Sequence, residues 1–220
     1  TSLKELLSKT LKIFFKVSYS PKSFNNKFGV PLSLFNLSQK DEFGILEVGM
    51  DKKGEIDTLS KIIKPDIGII TNISHAHVKN FKNIKEIARA KAEIMNNIKD
   101  GGTIILNADD QFFQYHKKIA QRKKLKICSF GLKNKQSNIK LNNITKKDKK
   151  FKIGLTIYNK KKYFYLSNDY ENNIKNLLAA LAVINLFMNA QNLNKNIFYD
   201  FKNPDGRGDI SKLKIHNKNI

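Results

Sequence analysis

Four short apolar runs, each followed within a few residues by a polar or small side chain, constrain this chain more than any other feature. They are "FGILEVGM" (43–50), "DIGIITNI" (66–73), "GTIILNAD" (102–109) and "LKICSFG" (125–131). Between them lie "GEIDTLSKII" (54–63), "NIKEIARAKAEIMNNI" (83–98) and "DQFFQYHKKIAQRK" (110–123), whose apolar residues recur at helical spacing. A nearly continuous apolar run suits a strand covered on both faces. Alternation of such strands with helices over short connections predicts an α/β fold: a mostly parallel sheet with helices on both faces.

The rest of the chain is read more coarsely. Residues 3–16 form an amphipathic helical pattern, and "SYSPKSFNNKFGVP" reads as a loop. Beyond residue 133 the period changes to two, with Lys/Asn turns, which predicts a small antiparallel meander at the sheet edge or as a subdomain. "KNLLAALAVINLFM" (175–188) is a strongly apolar helix and "NLNKNIFYDFKN" (192–203) a shorter one. "PDGRGDI" is a turn leading to a final strand. The chain opens on Thr and closes on an alternating stretch, "KLKIHNKNI", so it reads as a piece of a longer protein.

Composition bounds the function. A chain of 220 residues with 40% hydrophobic content can bury the core of one domain. The single cysteine, Cys128, supports no disulfide framework or cysteine-based zinc site, which fits a reducing cytoplasm. No apolar run approaches the roughly 18 residues of a membrane-spanning helix. The net charge of +22 raises a basic nucleic-acid-binding module as an alternative. Against it, only Arg89, Arg122 and Arg207 supply the forked guanidinium that reads bases and phosphates, and the Lys is scattered. Tight, steeply salt-dependent binding of DNA or RNA would favour that alternative.

The polar residues that follow the strands are the candidates for chemistry, because ligands of open parallel sheets bind at the carboxyl edge. Glu47 is the lone charge of its run. It is either a solvated strand end or a carboxylate for a metal or phosphate site, and hard oxygen suits Mg²⁺. Thr71, Asn72, His75 and His77 follow the second strand, and Asn107, Asp109 and Asp110 the third. Lys91 falls on the apolar stripe of its helix with Ile84, Ile87, Ala88, Ile94, Met95 and Ile98. It either snorkels to solvent or points at the carboxyl edge. Spacing alone does not say which histidine of "HAH" is functional.

Taken in order, several segments resemble the Mur ligases, ATP-dependent amide-forming enzymes of peptidoglycan synthesis. They are "SFNNKFGVPLSL", "LEVGMDKKGEID", "TNISHAHVKNF" followed by "IARAKAEI", "ILNADD", "NNIKNLLAALAV" and "GRGDI". "TSLKELL" is similar to the residues after Gly-Lys in the family's phosphate loop, so Thr1 would be the Thr of Gly-Lys-Thr-Ser. The resemblance implies that residues 1–220 are the central ATP-binding domain, without the Gly-Lys part of that loop and without the N-terminal UDP-sugar and C-terminal domains. "GEID" and "NNKFGVPLSL" are most similar to the branch that joins D-alanyl-D-alanine to UDP-MurNAc-tripeptide through an acyl phosphate.

The same resemblance implies the roles. Thr1 and Glu47 would hold the Mg²⁺ that bridges the ATP phosphates. His77 would bind a second Mg²⁺, helped by Lys91 as a carbamate. Asn173, Asn176 and Arg207 would contact ATP, and Asn25 and Asn26 would belong to a loop at the substrate cleft. The implied setting is the bacterial cytoplasm, in cell-wall biogenesis and hence cell shape and division, with no membrane insertion, no nucleic acid and a monomer favoured. Two positions depart from the pattern: Asn172 replaces the usual His, and His75 stands where relatives have a small or acidic residue. Another superfamily member, adding the third amino acid or acting as a folylpolyglutamate synthetase, is the nearby alternative.

Overall fold

The computed structural model describes residues 1–74, 80–148, 150–167, 171–201, 214–215 and 218–219. Helix α1 (Ser2–Leu11) leads into strand β1 (Val17–Tyr19), then α2 (Gly29–Phe35) and β2 (Phe43–Ile45). Next come α3 (Glu55–Ile63), β3 (Ile67–Ile70), α4 (Ile84–Ala92), β4 (Thr103–Asn107), α5 (Phe113–Arg122) and β5 (Lys126–Gly131). The meander is β6 (Ile139–Lys147), β7 (Lys150–Ile157) and β8 (Lys160–Leu166), followed by α6 (Glu171–Ile184). Two residue pairs near the end, β9 (Lys214–Ile215) and β10 (Lys218–Asn219), run antiparallel to each other.

The main sheet has the order β3-β4-β5-β6-β7-β8. β3 through β6 are parallel, and β6, β7 and β8 are antiparallel. The meander is therefore the edge of the main sheet, grafted on through Phe130 opposite Ile139 and Gly131 opposite Lys140. β1 and β2 form a separate parallel pair, with Val17 opposite Phe43.

Apolar side chains on alternate sides of the strands explain the layers. Ile105 of β4 joins the cluster of α1, α6 and the inner face of the meander, whereas Ile104 and Leu106 join the cluster of α3, α4 and α5. Helices thus cover both faces, as the sequence pattern predicts. From Leu177 onward α6 is apolar on every side, and Leu178, Ala179, Ala180, Leu181, Ala182 and Ile184 have no exposed surface. Such a helix belongs inside a protein rather than on it.

Local chemistry sets the helix ends. Asn83 caps α4 by accepting the Glu86 N–H at 3.1 Å, while Glu86 accepts the Lys82 N–H at 2.9 Å. After Ala92 the helix tightens into a 3₁₀ turn over Glu93–Asn96. The Glu93 carboxylate accepts the N–H groups of Gly54, at 2.9 and 3.0 Å, and of Asp57, at 3.2 Å. It thereby caps the start of α3, where Gly54 takes the left-handed φ of 89°.

The structure departs from the sequence reading in three places. β1 and α2 lie within or beside the stretch read as loop. β1 has three residues and α2 seven, too short for a periodic signal. The apolar run 43–50 is strand only over Phe43–Ile45. The expected helix 192–203 is a 3₁₀ turn at Ala190–Asn192 followed by turns. Asn189 accepts the Gln191 N–H at 3.0 Å and Asn194 the Asn196 N–H at 2.8 Å, and these local bonds compete with a helix. The "PDGRGDI" turn lies outside the described residues.

Because α6 fills the core between α1 and the sheet, Leu181→Ala is expected to lower stability by about 2–5 kcal/mol, the usual cost of a large-to-small change at a closed site. Urea unfolding checks this, and a loss under about 1 kcal/mol would mean that the site collapses around the cavity.

Candidate functional site

Three elements converge on Glu47. It follows β2, and its carboxylate accepts the Thr1 hydroxyl at 2.8 Å through Oε2. The Thr1 amino nitrogen lies 3.0 Å from the same oxygen, and Asn25 Nδ2 donates to Oε1 at 3.2 Å. Ser20, at the end of β1, accepts the Glu47 N–H with its hydroxyl at 3.2 Å. Gly49 completes the arrangement. Its N–H donates to the Asn25 carbonyl at 2.7 Å, and a Cβ there would meet the Asn25 carboxamide at 2.9 Å. A side chain at position 49 would therefore push the Asn25 carboxamide off its place beside Glu47.

Burial pushes the Glu47 carboxyl up, and the hydrogen bonds from the Thr1 hydroxyl and from Asn25 pull it down. Glu47 is therefore an ionised, half-buried carboxylate beside a hydroxyl. Two hard oxygens converging in this way are donors of the kind Mg²⁺ takes.

A second group gathers where β3 ends. Lys91 does not snorkel: its Nζ donates to the Asn72 carbonyl at 2.9 Å. Burial lowers its pKa from the ordinary 10.5, and the Asp110 carboxylate pulls the other way. Asp110 accepts the Ile73 N–H at 2.6 Å and the Phe112 N–H at 2.9 Å. His116 of α5 is buried against α4, its Nε2 lying 3.0 Å from the Ala88 carbonyl. Burial holds its ring below the ordinary 6.5, so it is neutral at physiological pH, and Asp110 and Lys91 are again its charged neighbours. An ammonium ion has no lone pair to give a metal, so Lys91 fits a metal site only after losing its proton, as the free amine or as a carbamate.

The other candidates divide. Asn26 spends its side-chain oxygen capping α2, accepting the N–H groups of Phe28 at 3.1 Å and Gly29 at 2.9 Å. Asn173 and Asn176 are half-buried on α6, and Asn173 lines a small recess with Leu6, Leu166 and Leu177. Asp109 clamps a turn by accepting the N–H groups of Leu132, Lys133 and Asn134, the shortest at 2.6 Å. His75, His77 and Arg207 lie outside the described residues. Among the described residues, no three His, Cys, Asp or Glu side chains gather as a metal cluster. Among them too, no direct hydrogen bond joins Glu47 to Lys91, but Met50 and Ile73 belong to one apolar cluster.

Sequence reasoning missed Lys4. It is 4% exposed, and its ammonium donates to the carbonyls of Ser20 and Lys22, tying α1 to the end of β1 just before Glu47. The signal was available: Lys4 shares an apolar stripe with Leu7 and Leu11, the same anomaly that singled out Lys91.

The Mur ligase middle domain family matches residues 1–184. The UDP-N-acetylmuramoyl-tripeptide--D-alanyl-D-alanine ligase of Buchnera aphidicola subsp. Baizongia pistaciae (strain Bp) is 35% identical over 183 residues, covering 83% of this chain and 39% of that protein. A crystal structure of MurF from Acinetobacter baumannii superposes with a TM-score of 0.86 at 25% identity, covering 100% of this chain and 47% of that one. MurF ligase from Thermotoga maritima in complex with ADP gives 0.84 at 23% identity over 97% and 48% of the two chains, a likeness of fold. The chain spans less than half the length of each of these relatives.

Proposed function

The chain belongs to the Mur ligase family through its middle domain, and from that premise we propose that it is the ATP-handling domain of a ligase joining D-alanyl-D-alanine to UDP-MurNAc-tripeptide. The convergence of the Thr1 hydroxyl and Asn25 on the ionised Glu47 carboxylate carries this reading. The relatives named as D-alanyl-D-alanine ligases support the choice of branch.

In this reading the terminal carboxylate of the tripeptide attacks the γ-phosphorus of ATP, and the bond to ADP breaks. The dipeptide amine then adds to the acyl phosphate carbonyl, loses a proton and expels inorganic phosphate, leaving an amide. Bound Mg²⁺ supplies neutralisation of charge between anions that would otherwise repel. Thr1 and Glu47 offer the hydroxyl and carboxylate that would hold it, with Asn25 and Gly49 fixing the carboxylate. His77 and an anionic Lys91 would hold a second ion. Arg207, Asn173 and Asn176 would bind the nucleotide. Burial keeps more of Lys91 as the neutral amine than an exposed lysine would have, and this is the form that adds to CO₂, releasing a proton to give a carbamate. The setting is the bacterial cytoplasm, and among the described residues no helix is long and apolar enough to cross a membrane.

An assay of the intact parent protein decides the reading. D-Ala-D-Ala should be preferred over single amino acids, and preference for one amino acid or for glutamate would replace this function with that of another branch. These 220 residues alone should form no amide. His77→Ala in the intact enzyme should cost at least about 100-fold in turnover, as for a residue at a metal site, and His75→Ala less than about threefold. Equal losses would assign the wrong histidine. Lys91→Ala should be inactive and partly restored by short carboxylic acids, and full activity without them would exclude the carbamate.

A further inference from the structure

One peptide unit at the end of β3 is held between two opposite charges. Its carbonyl, on Asn72, accepts from Lys91 Nζ at 2.9 Å, and its N–H, on Ile73, donates to Asp110 Oδ2 at 2.6 Å. A peptide group is planar, so whatever fixes its N–H also fixes the direction of its carbonyl. Asp110 is itself anchored, because Oδ1 accepts the Phe112 N–H at 2.9 Å just before α5 begins. From the same helix His116 reaches the Ala88 carbonyl at 3.0 Å, three residues before Lys91. The α5 limb therefore grips both the strand end that receives Lys91 and the helix that presents it.

We propose that Asp110 is a positioning residue for Lys91: by holding the Asn72–Ile73 peptide, it fixes the carbonyl on which the Lys91 side chain rests at the edge of the sheet. Asp110 touches no reacting group in this arrangement; its charge also favours the protonated Lys91 across space, but its hold on the peptide plane is what sets where the side chain rests. The unmodified amine uses the carbonyl as its acceptor, and a carbamate keeps one N–H that can do the same. Ile73 is 8% exposed, so its N–H has little water to turn to if Asp110 lets go. The peptide would then rotate and Lys91 would lose its rest.

The inference builds on the ligase reading, in which Lys91 takes part in the reaction. Its test uses the intact enzyme carrying Asp110→Asn, which has one acceptor oxygen for two N–H groups. Asp110→Ser, which can still cap Phe112 but is too short for Ile73, carries the same measurements if the first variant folds poorly. Turnover should fall about 10- to 100-fold while KM for ATP stays within about threefold, the range for residues that orient a functional side chain. On the residual activity of Lys91→Ala restored by carboxylic acids, the second substitution should cost less than about twofold more. Losses that multiply would mean that Asp110 does not act through Lys91. A crystal structure of the variant should place Lys91 Nζ beyond hydrogen-bond range of the Asn72 carbonyl, and retention of that contact would overturn the proposal. This structural readout needs no substrate, so it decides the role of Asp110 even if the enzyme proves to join a different amine.

Discussion

Burial of β4 on both faces is the constraint on which the rest of the structure depends. All five of its residues are buried, with Ile104 and Ile105 at 0%. A strand enclosed in this way can carry almost no polar side chain along its length. The polar groups are displaced to the ends of the parallel strands: Ser20 and Glu47 follow the β1–β2 pair, and Asn72, Asn107, Asp109 and Asp110 follow or end β3 and β4 of the main sheet. The parallel strands that make the core thus also make ends where polar groups from distant parts of the chain meet.

Those groups divide their labour. Asp109 and Asp110 stand among the polar groups that follow the third apolar run, and both spend their oxygens on backbone N–H groups. Glu47 is different. Its oxygens accept from the side chains of Thr1 and Asn25, and such contacts can open to admit a ligand more readily than a turn clamp can. The donors thus separate carboxylates bound to backbone, Asp109 and Asp110, from one bound to side chains, Glu47.

The parallel layers were legible because an apolar run with helical neighbours has few other ways to be satisfied. β1 and α2 were not, because three and seven residues give no period to read. The residues 192–203 carried helical spacing, but Asn189 and Asn194 form local side-chain bonds that win over it. Lys91 was found because a cation on an apolar stripe demands a reason, and Lys4 escaped although it posed the same demand. Asn26 shows the opposite limit. Its place in a motif suggests a ligand, while the start of α2 claims its oxygen.

Glu93 gives the edge a mechanical property. It stands two residues after Lys91, and its carboxylate holds the N–H groups of Gly54 and Asp57, in the segment that continues from Glu47. Asn96 and Asn97 add side-chain bonds to Asp57 and Ser60 just beyond it. A shift of the end of α4 must either break these bonds or drag the start of α3 with it, so the two segments behave as one strut.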